Sequence, residues 1–467
     1  MLQTLRKKFI GDRKFYHSLL VLIIPIIIQQ GISNFVNLLD NVMVGRLGTE
    51  SMSGVAIVNQ LFFVCNLTIF GGLSGASIYG AQFFGKNDIK GVRYTFRFKV
   101  IFSVIISVSA ITILYVFREP LISLFLSESE NGGNLAFTLS EAKNYLFIML
   151  FGLFPFALSQ SYASSLRETG ETFSPMLASI LAILVNLCLN YILIFGSFGA
   201  PKLGVIGAAI ATVISRYVEL LYLVLHTWSH RDKFTFIKGA FQSLYIPASI
   251  VKNILITGSP LILNEVLWSL ATTMINQSYS TRGLTVVAAI NITTTVWYLF
   301  CIIMFAMGSA VSIIIGQLLG SGEIEKAKDT DNKLLFFTLV LHLVIGGIII
   351  LAAPFIPMIY NTEQVVRQLT KELLIIAGLS LPLHALLHVT YFTIRSGGRT
   401  FITFLFDCVY TWLIPFPIAY ILSRFTNYPF TVIYFCVQFV DLFKVFIGIL
   451  LLRSGIWAEN IVNETKK

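Results

Sequence analysis

Charge, glycine and proline cut the chain into twelve apolar runs, at about 17–44, 52–83, 94–117, 142–165, 173–196, 203–228, 252–280, 286–318, 333–353, 372–394, 400–423 and 430–453. Each reaches the roughly 20 residues that an α-helix needs to cross a hydrocarbon layer about 30 Å thick. Inside such a layer every backbone N–H and C=O must be satisfied within the protein, which makes each run a helix. Composition agrees: 56% of positions are apolar and only 12% are charged, about half the charge of a soluble domain. The expected fold class is an all-α integral membrane protein with twelve transmembrane helices. The stretch from Leu19 to Val44 lacks a small-residue cleavage site and is too long for a signal peptide, so it stays as the first helix.

The net charge of +10 has a membrane explanation. Placed on this map, 23 Lys and Arg fall on the termini and the loops after even-numbered helices, 8 fall on the other loops, and Arg216 and Lys444 lie within helices. Cytoplasmic loops accumulate Lys and Arg, so both termini are expected in the cytoplasm of a multi-pass plasma-membrane protein. No basic run with interleaved aromatics argues for nucleic acid. Cys65, Cys188, Cys301, Cys408 and Cys436 form no CxxC pair and read as packing residues.

The sequence repeats itself. Moved by 235 positions, residues 25–92 fall on 260–327 without a gap, pairing Pro25 with Pro260, Asn41 with Asn276, Gly48 with Gly283, Gln82 with Gln317 and Gly85 with Gly320. At an offset of 228, LRETGETF (166–173) falls on IRSGGRTF (394–401), pairing Arg167 with Arg395 and Gly170 with Gly398. Two matches in the same order imply a duplication. The expected organisation is an N-terminal six-helix lobe (1–228), a cytoplasmic connector (229–251) able to tolerate lobe movement, and a C-terminal six-helix lobe (252–467). An even number of crossings per unit makes the repeat parallel, as in many secondary transporters.

Ionisable groups within crossings are costly and point to function. Five acids fall there: Asp40, Glu219, Glu265, Asp407 and Asp441. Glu219 and Asp441 have Arg216 at i−3 and Lys444 at i+3 as structural partners. Asp407 has no helical neighbour of opposite charge and divides between packing and function. In the first helix Gln30, Asn34, Asn37 and Asn41 form a polar stripe beside Asp40, with Pro25 a bending point. A polar seam that glues helices explains the amides but not the carboxylate. In the seventh helix Glu265, Trp268, Thr272, Asn276 and Tyr279 follow steps of 3, 4, 4 and 3, a face suited to an organic cation through charge and cation–π attraction. Aromatic stripes alone more often mark packing. His384 and His388, at i and i+4, are open to packing, cavity lining or metal ligation, although no further metal ligand is evident. His384 and Asn37 join the residues expected to contact substrate. No GK[ST] phosphate loop, nucleophile elbow or metal-hydrolase motif is present, so neither enzyme activity nor a cofactor is expected.

Four stretches, LLDNVMVGRLG (38–48), GAQFFGKND (80–88) with its echo GQLLGSGE (316–323), LRETGETFSP (166–175) and NLCLNYILIFGSFGAPKLGVIGAAIAT (186–212), resemble the multidrug and toxic compound extrusion (MATE) family. The resemblance implies two six-helix lobes around a central cavity and export of amphipathic, often cationic organic compounds in exchange for H+ or Na+. It places the N-lobe cation-coupling residues on Asp40, Asn186, Asn190 and Thr212, a carboxylate with oxygen donors of the kind hard cations prefer. Position 190, often Asp in the family, is Asn here, which lowers the site's charge and leaves proton coupling open beside sodium. Some members place an acid in the tenth helix, and this chain is read as having none there. The expected protein is a monomeric ion-coupled antiporter whose lobes rock to give alternating access, with a small organic substrate and the lipid bilayer as its partners. Its rival is a flippase of lipid-linked oligosaccharide, which would present a cationic cavity.

Overall fold

The structure, a computed structural model, describes residues 9–125 and 135–463. The basic residues expected at the two ends, Arg6, Lys7, Lys8, Lys466 and Lys467, lie outside the described residues. Among the described residues twelve helices are long and apolar enough to cross a membrane: α1 Arg13–Gly45, α2 Glu50–Gly85, α3 Ile89–Val116, α4 Leu135–Glu168, α5 Phe173–Phe195, α6 Val205–Ser229, α7 Ala248–Ser280, α8 Leu284–Gly320, α9 Ile324–Ala352, α10 Gln364–Ser396, α11 Thr400–Phe425 and α12 Phe430–Ser454. Large apolar side chains such as Ile105, Val108 and Ile113 on α3 and Leu442, Phe443 and Phe446 on α12 are exposed. A chain whose solvent on those faces is lipid carries its apolar residues outward at no cost.

Several helices begin well before the apolar run that announces them. α9 starts at Ile324 and not near 333, α10 at Gln364 and not near 372, and α4 at Leu135 and not near 142. The added turns (IEKAKDTDN, QVVRQLTK) are built of good helix formers that apolar counting leaves out. Arg97 and Lys99, expected at a helix end, thus lie inside α3, where both are buried. Glu372, the first residue of the expected tenth run, lies two turns inside α10 and accepts from Thr431 at 2.7 Å, so the tenth helix does contain an acid. α11 is interrupted by a π-helical turn over Leu405–Val409 and restarts at Pro415, since proline is tolerated in a first turn but not further inside.

The chain divides into two compact units. One comprises Pro25–Gly80 and Ile89–Lys252. In it α5 packs on α6, α4 on α6 and α3 on α4 around a core that includes Val58, Leu146, Leu153, Ile194 and Ala209. The segment after α6 is bound into this unit. Arg97 donates to the carbonyls of Ala240 (2.7 Å), Gly239 (2.8 Å) and Tyr245 (2.9 Å), Arg93 donates to that of Phe236, and Phe96 stacks edge-on against Phe236. A freely yielding connector is therefore not what residues 235–245 form.

The other unit comprises Met1–Ile24, Ala81–Asp88 and Asn253–Lys467. α8, α9 and α12 all pack on α10. Here the ends of α2 and α8 approach so closely that a Cβ at Gly85 would meet the Gln317 carbonyl, and one at Gly320 that of Gln82. Glycine is the residue that permits such backbone proximity. Gln82 is held by the segment after α12, donating to the carbonyls of Ser396 (2.9 Å) and Glu459 (3.2 Å) and accepting from the Ile461 N–H (3.0 Å). Trp457 in that segment is 1% exposed.

Candidate functional site

The site grows from the polar stripe of α1. Asn37, Asp40 and Asn41 line a cavity of about 410 Å³ within the first unit described, together with Asn59 and Asn66 of α2, Tyr145 of α4, Asn190 of α5 and Thr212 and Arg216 of α6. Phe62, Phe63 and Phe156 supply its apolar wall. A polar interior in a chain this apolar is a binding surface or a water-filled path, because lipid cannot satisfy it.

Among the described residues Asp40 is the only carboxylate on the wall, and its neighbours are the residues to which the family resemblance pointed. Asn190 donates from Nδ2 to Oδ1 at 2.7 Å. With its nitrogen turned toward the carboxylate, the Asn186 amide donates to Oδ2 at 3.0 Å and accepts from the Thr212 hydroxyl at 3.3 Å, an orientation set by the hydrogen-bond network. Asn186 and Asn190, at i and i+4, share one face of α5. The second acceptor of this cluster, Asn190 Oδ1, is buried without a partner. The arrangement can hold an ionised carboxylate between two N–H donors, or exchange a proton at it.

Arg216 lines the same cavity. Its guanidinium donates to Glu219 Oε2 at 3.2 Å and lies 4.9 Å from the centre of the Phe156 ring, so the expected i, i+3 pair is present. The corresponding expectation for Asp441 is corrected: Lys444 reaches across to Asp407 Oδ1 at 2.7 Å, and Asp441 lies 3.5 Å from His384 Nε2. The π turn and the neighbouring helix give Asp407 the opposite charge that helical spacing along α11 could not show. Asn264 donates to its other oxygen at 3.2 Å.

The stripe on α7 is divided by the structure. Glu265 accepts from the Tyr391 hydroxyl and lies in the field of Arg395 and Asp407. Trp268 is 39% exposed, Thr272 donates to the Trp268 carbonyl at 3.0 Å, and Asn276 is exposed. Tyr279 departs from the set: it is 4% exposed and packs edge-on against Phe430 at 5.2 Å and Tyr434 at 6.2 Å. One helical face held over 14 residues spans about 21 Å and need not keep one environment. His388 sits against Phe305 and Phe392, apart from the carboxylate that His384 meets. Among the described residues no three His, Cys, Asp or Glu converge as metal ligands. Cys188 is exposed on α5, while Cys301 and Cys408 are buried.

Sequence reading missed Asn59 and Asn66, although their i, i+7 spacing on α2 obeys the stripe logic applied to α1. It missed further acids, among them Glu168 and Asp331, because the helix ends were set too short, and Glu372 because it stood on the boundary of its run. Glu168 is paired with buried Lys99, Asp331 accepts from Thr393 at 2.6 Å, and Glu372 is described above.

Twelve membrane-length helices among the described residues, with an amide-rich cavity inside one of the two units, are the features of an integral membrane transporter of small molecules. The MatE family model matches residues 25–192 and again 260–421, and the chain belongs to that family, whose members are secondary transporters and not enzymes. It is 25% identical over 448 residues to the probable multidrug resistance protein NorM of Thermotoga maritima, covering 95% of this chain and 94% of that one. It is 28% identical over 417 residues to the probable multidrug resistance protein NorM of Halalkalibacterium halodurans, covering 87% of each. A crystal structure of MATE in complex with MaL6 has the same fold, with a TM-score of 0.85 at 23% identity over 97% of this chain and 98% of that one.

Proposed function

We propose that the chain is a proton-coupled antiporter that exports amphipathic, cationic organic compounds across the plasma membrane. The observation that carries this reading is Asp40, the single carboxylate of the cavity, with an amide donor on each oxygen. Two N–H donors satisfy the ionised carboxylate without a metal ion, and the asparagine at 190 removes the second charge that would help hold sodium. The names of the relatives, probable multidrug resistance proteins, support a broad organic substrate range. Glu265, with Trp268, Thr272, Asn276, Asn37 and His384, is assigned to the substrate path.

The working unit is a monomer of two duplicated six-helix lobes, 1–228 and 252–467, with both termini cytoplasmic. Two separate matches to one family model, residues 25–192 and 260–421, support the duplication. Rocking of the lobes exposes the path to each side in turn. A lipid-linked oligosaccharide flippase is disfavoured, because Arg216, the one cation on the cavity wall among the described residues, is engaged by Glu219.

Uptake of ethidium into everted vesicles, with proton and sodium gradients imposed separately, tests this reading. The proton gradient is expected to drive uptake, sodium-free buffer to leave it unchanged, and Asp40→Asn to abolish it. Strict sodium dependence would overturn the proton assignment. Full activity of Asp40→Asn would remove the residue from the mechanism.

A further inference from the structure

The last turn of α2 and the segment after α12 are built into one another. α2 changes unit between Gly80 and Ala81, and its two sides are held by different partners. On the first side Gly80 abuts Glu168, whose carboxylate occupies the space that a Cβ would need and accepts from Ser77. On the second side Gln82 is 0% exposed. Its whole amide is engaged there, donating to the carbonyls of Ser396 and Glu459 and accepting from the Ile461 N–H. Lys86 donates to the Val462 carbonyl at 3.2 Å, and Asn460 donates to the Gly320 carbonyl at 3.0 Å. A grip within the unit of α3 to α6 thus stands two residues away from a grip within the unit of α8 to α12.

The segment after α12 is itself anchored. Gly455 ends the helix at a φ of 68°, and the Trp457 indole donates to the Leu452 carbonyl at 3.1 Å. A Cβ at Gly397 would meet the Trp457 carbonyl, Arg399 pairs with Glu459, and Val462 is buried. At the offset of 228, Arg399 falls on Glu171, which pairs with Lys233 in the segment after α6. Each repeat therefore ties the segment after its last helix to the same turn, with the charges exchanged. Beyond that tie the copies differ. The segment after α6 goes on to Arg93 and Arg97 of α3, inside its own unit, whereas the segment after α12 takes hold of a helix whose earlier turns belong to the other unit. α8, the counterpart of α2, lies wholly in one unit.

We propose that residues 455–463 are a clasp that makes the last turn of α2 a working part of the second lobe, so that α2 yields at Gly80–Gln82 when the lobes rock. This rests on the rocking motion given above. The clasp stays closed through the cycle, and the change of angle falls on the residues where the two grips meet. A bend in a helix without a proline needs another local cause, and Gly80 supplies it, having no side chain to restrict its backbone. A few such positions absorb the dihedral change in most hinges. The clasp also keeps the close approach of Gly85 to the Gln317 carbonyl and of Gly320 to that of Gln82 while the rest of α2 moves. With the clasp undone, the last turn is held by neither grip, and turnover slows.

The experiment joins hydrogen exchange to transport. Gln82→Leu keeps the volume of the side chain and removes its three hydrogen bonds. In the purified protein it is expected to raise exchange of residues 83–88 and 456–463 together, by about tenfold, and to leave residues 60–75 unchanged. In vesicles it should slow ethidium transport about fivefold. A short bismaleimide joining Lys86→Cys to Asn463→Cys, in a Cys188→Ser background, replaces the Lys86 contact by a covalent one. That cross-link should leave transport intact when Gln82 is present and restore it in Gln82→Leu. Unchanged protection of 83–88 in Gln82→Leu overturns the proposal. A cross-link that stops transport does the same, because the clasp would then have to open, and so does a cross-link that fails to rescue Gln82→Leu. If Gln82→Leu does not fold, Asn460→Ala takes its place with the same expectations. Transport that continues when the extracellular ends of the two lobes are cross-linked would instead strike the rocking motion on which the proposal rests, so the two failures are distinct.

Discussion

Lys99→Met should be among the most destabilising single substitutions in α3. Lys99 lies ten residues into the helix, about 15 Å along its axis, and its side chain is 0% exposed. Its ammonium pairs with Glu168, whose side chain is 6% exposed, and donates to the Ser165 hydroxyl at 3.2 Å. α2 closes over the carboxylate at Gly80, where a Cβ would collide with Glu168 Oε2, so water has little room to replace the lost cation. Removing one partner of a buried pair costs about 3 to 5 kcal/mol, because an uncompensated charge is left behind, whereas removing both is often close to neutral. Lys99→Met should therefore lower the free energy of unfolding in mixed micelles by about 3 kcal/mol or more. Adding Glu168→Gln, which keeps the hydrogen bond to Ser77, should return stability to within about 1 kcal/mol of the wild type. The assay is a double-mutant cycle read by detergent titration and near-UV circular dichroism. A single-mutant loss below about 1 kcal/mol, or a double mutant less stable than both singles, would refute the buried-pair argument.

If Glu265 recognises cationic substrates, Glu265→Gln should slow export of permanently charged dyes at least tenfold relative to neutral ones, about 1.4 kcal/mol of discrimination; equal losses would point to coupling or folding. Arg97→Ala should free residues 235–245 to proteolysis by removing three carbonyl contacts, and unchanged cleavage would show that the aromatic contacts suffice. Rocking predicts that disulfide cross-links between the extracellular ends of the two lobes stop transport and leave membrane insertion intact; continued transport would exclude it. Gly320→Val should destabilise the protein strongly, since its side chain would meet the Gln82 backbone, and normal thermal stability would show that α8 shifts freely there.

The twelve crossings were legible because lipid imposes one rule on each of them, and apolar length reports that rule directly. Their polar first turns were not. Glu325 to Asp331 and Arg367 to Glu372 look like loop by hydropathy, yet they continue α9 and α10, because helix propensity persists after the need for apolarity ends. The Asp40 cluster was legible through the stripe on α1 and through the resemblance, which supplied Asn186, Asn190 and Thr212. Partners that cross between helices were not: spacing along one helix pairs Lys444 with Asp441, whereas packing of α12 against α11 pairs it with Asp407. Tyr279 shows the converse limit, since period alone cannot say where along a face the packing closes.

The repeat also marks where the two halves have parted. At the offset of 235, Asp40 falls on Ile275 and Glu265 falls on Gln30. The first helix of each repeat thus carries one acid, but at positions ten residues apart in the shared frame, about 15 Å along a helix. The glycines that shape the frame did not diverge: Gly48 and Gly283 both hold positive φ, at 116° and 106°, in the turn after that helix. Backbone geometry constrains both copies alike, because each must end its first helix in the same turn. A carboxylate inside a bundle is costly wherever it stands, so each copy holds one only where neighbouring side chains satisfy it. Asp40 has the Asn186 and Asn190 amides, and Glu265 has the Tyr391 hydroxyl. Under the proposed function, unequal acids on equal frames would let one half exchange a proton while the other meets the substrate, a division of labour that two identical halves could not make.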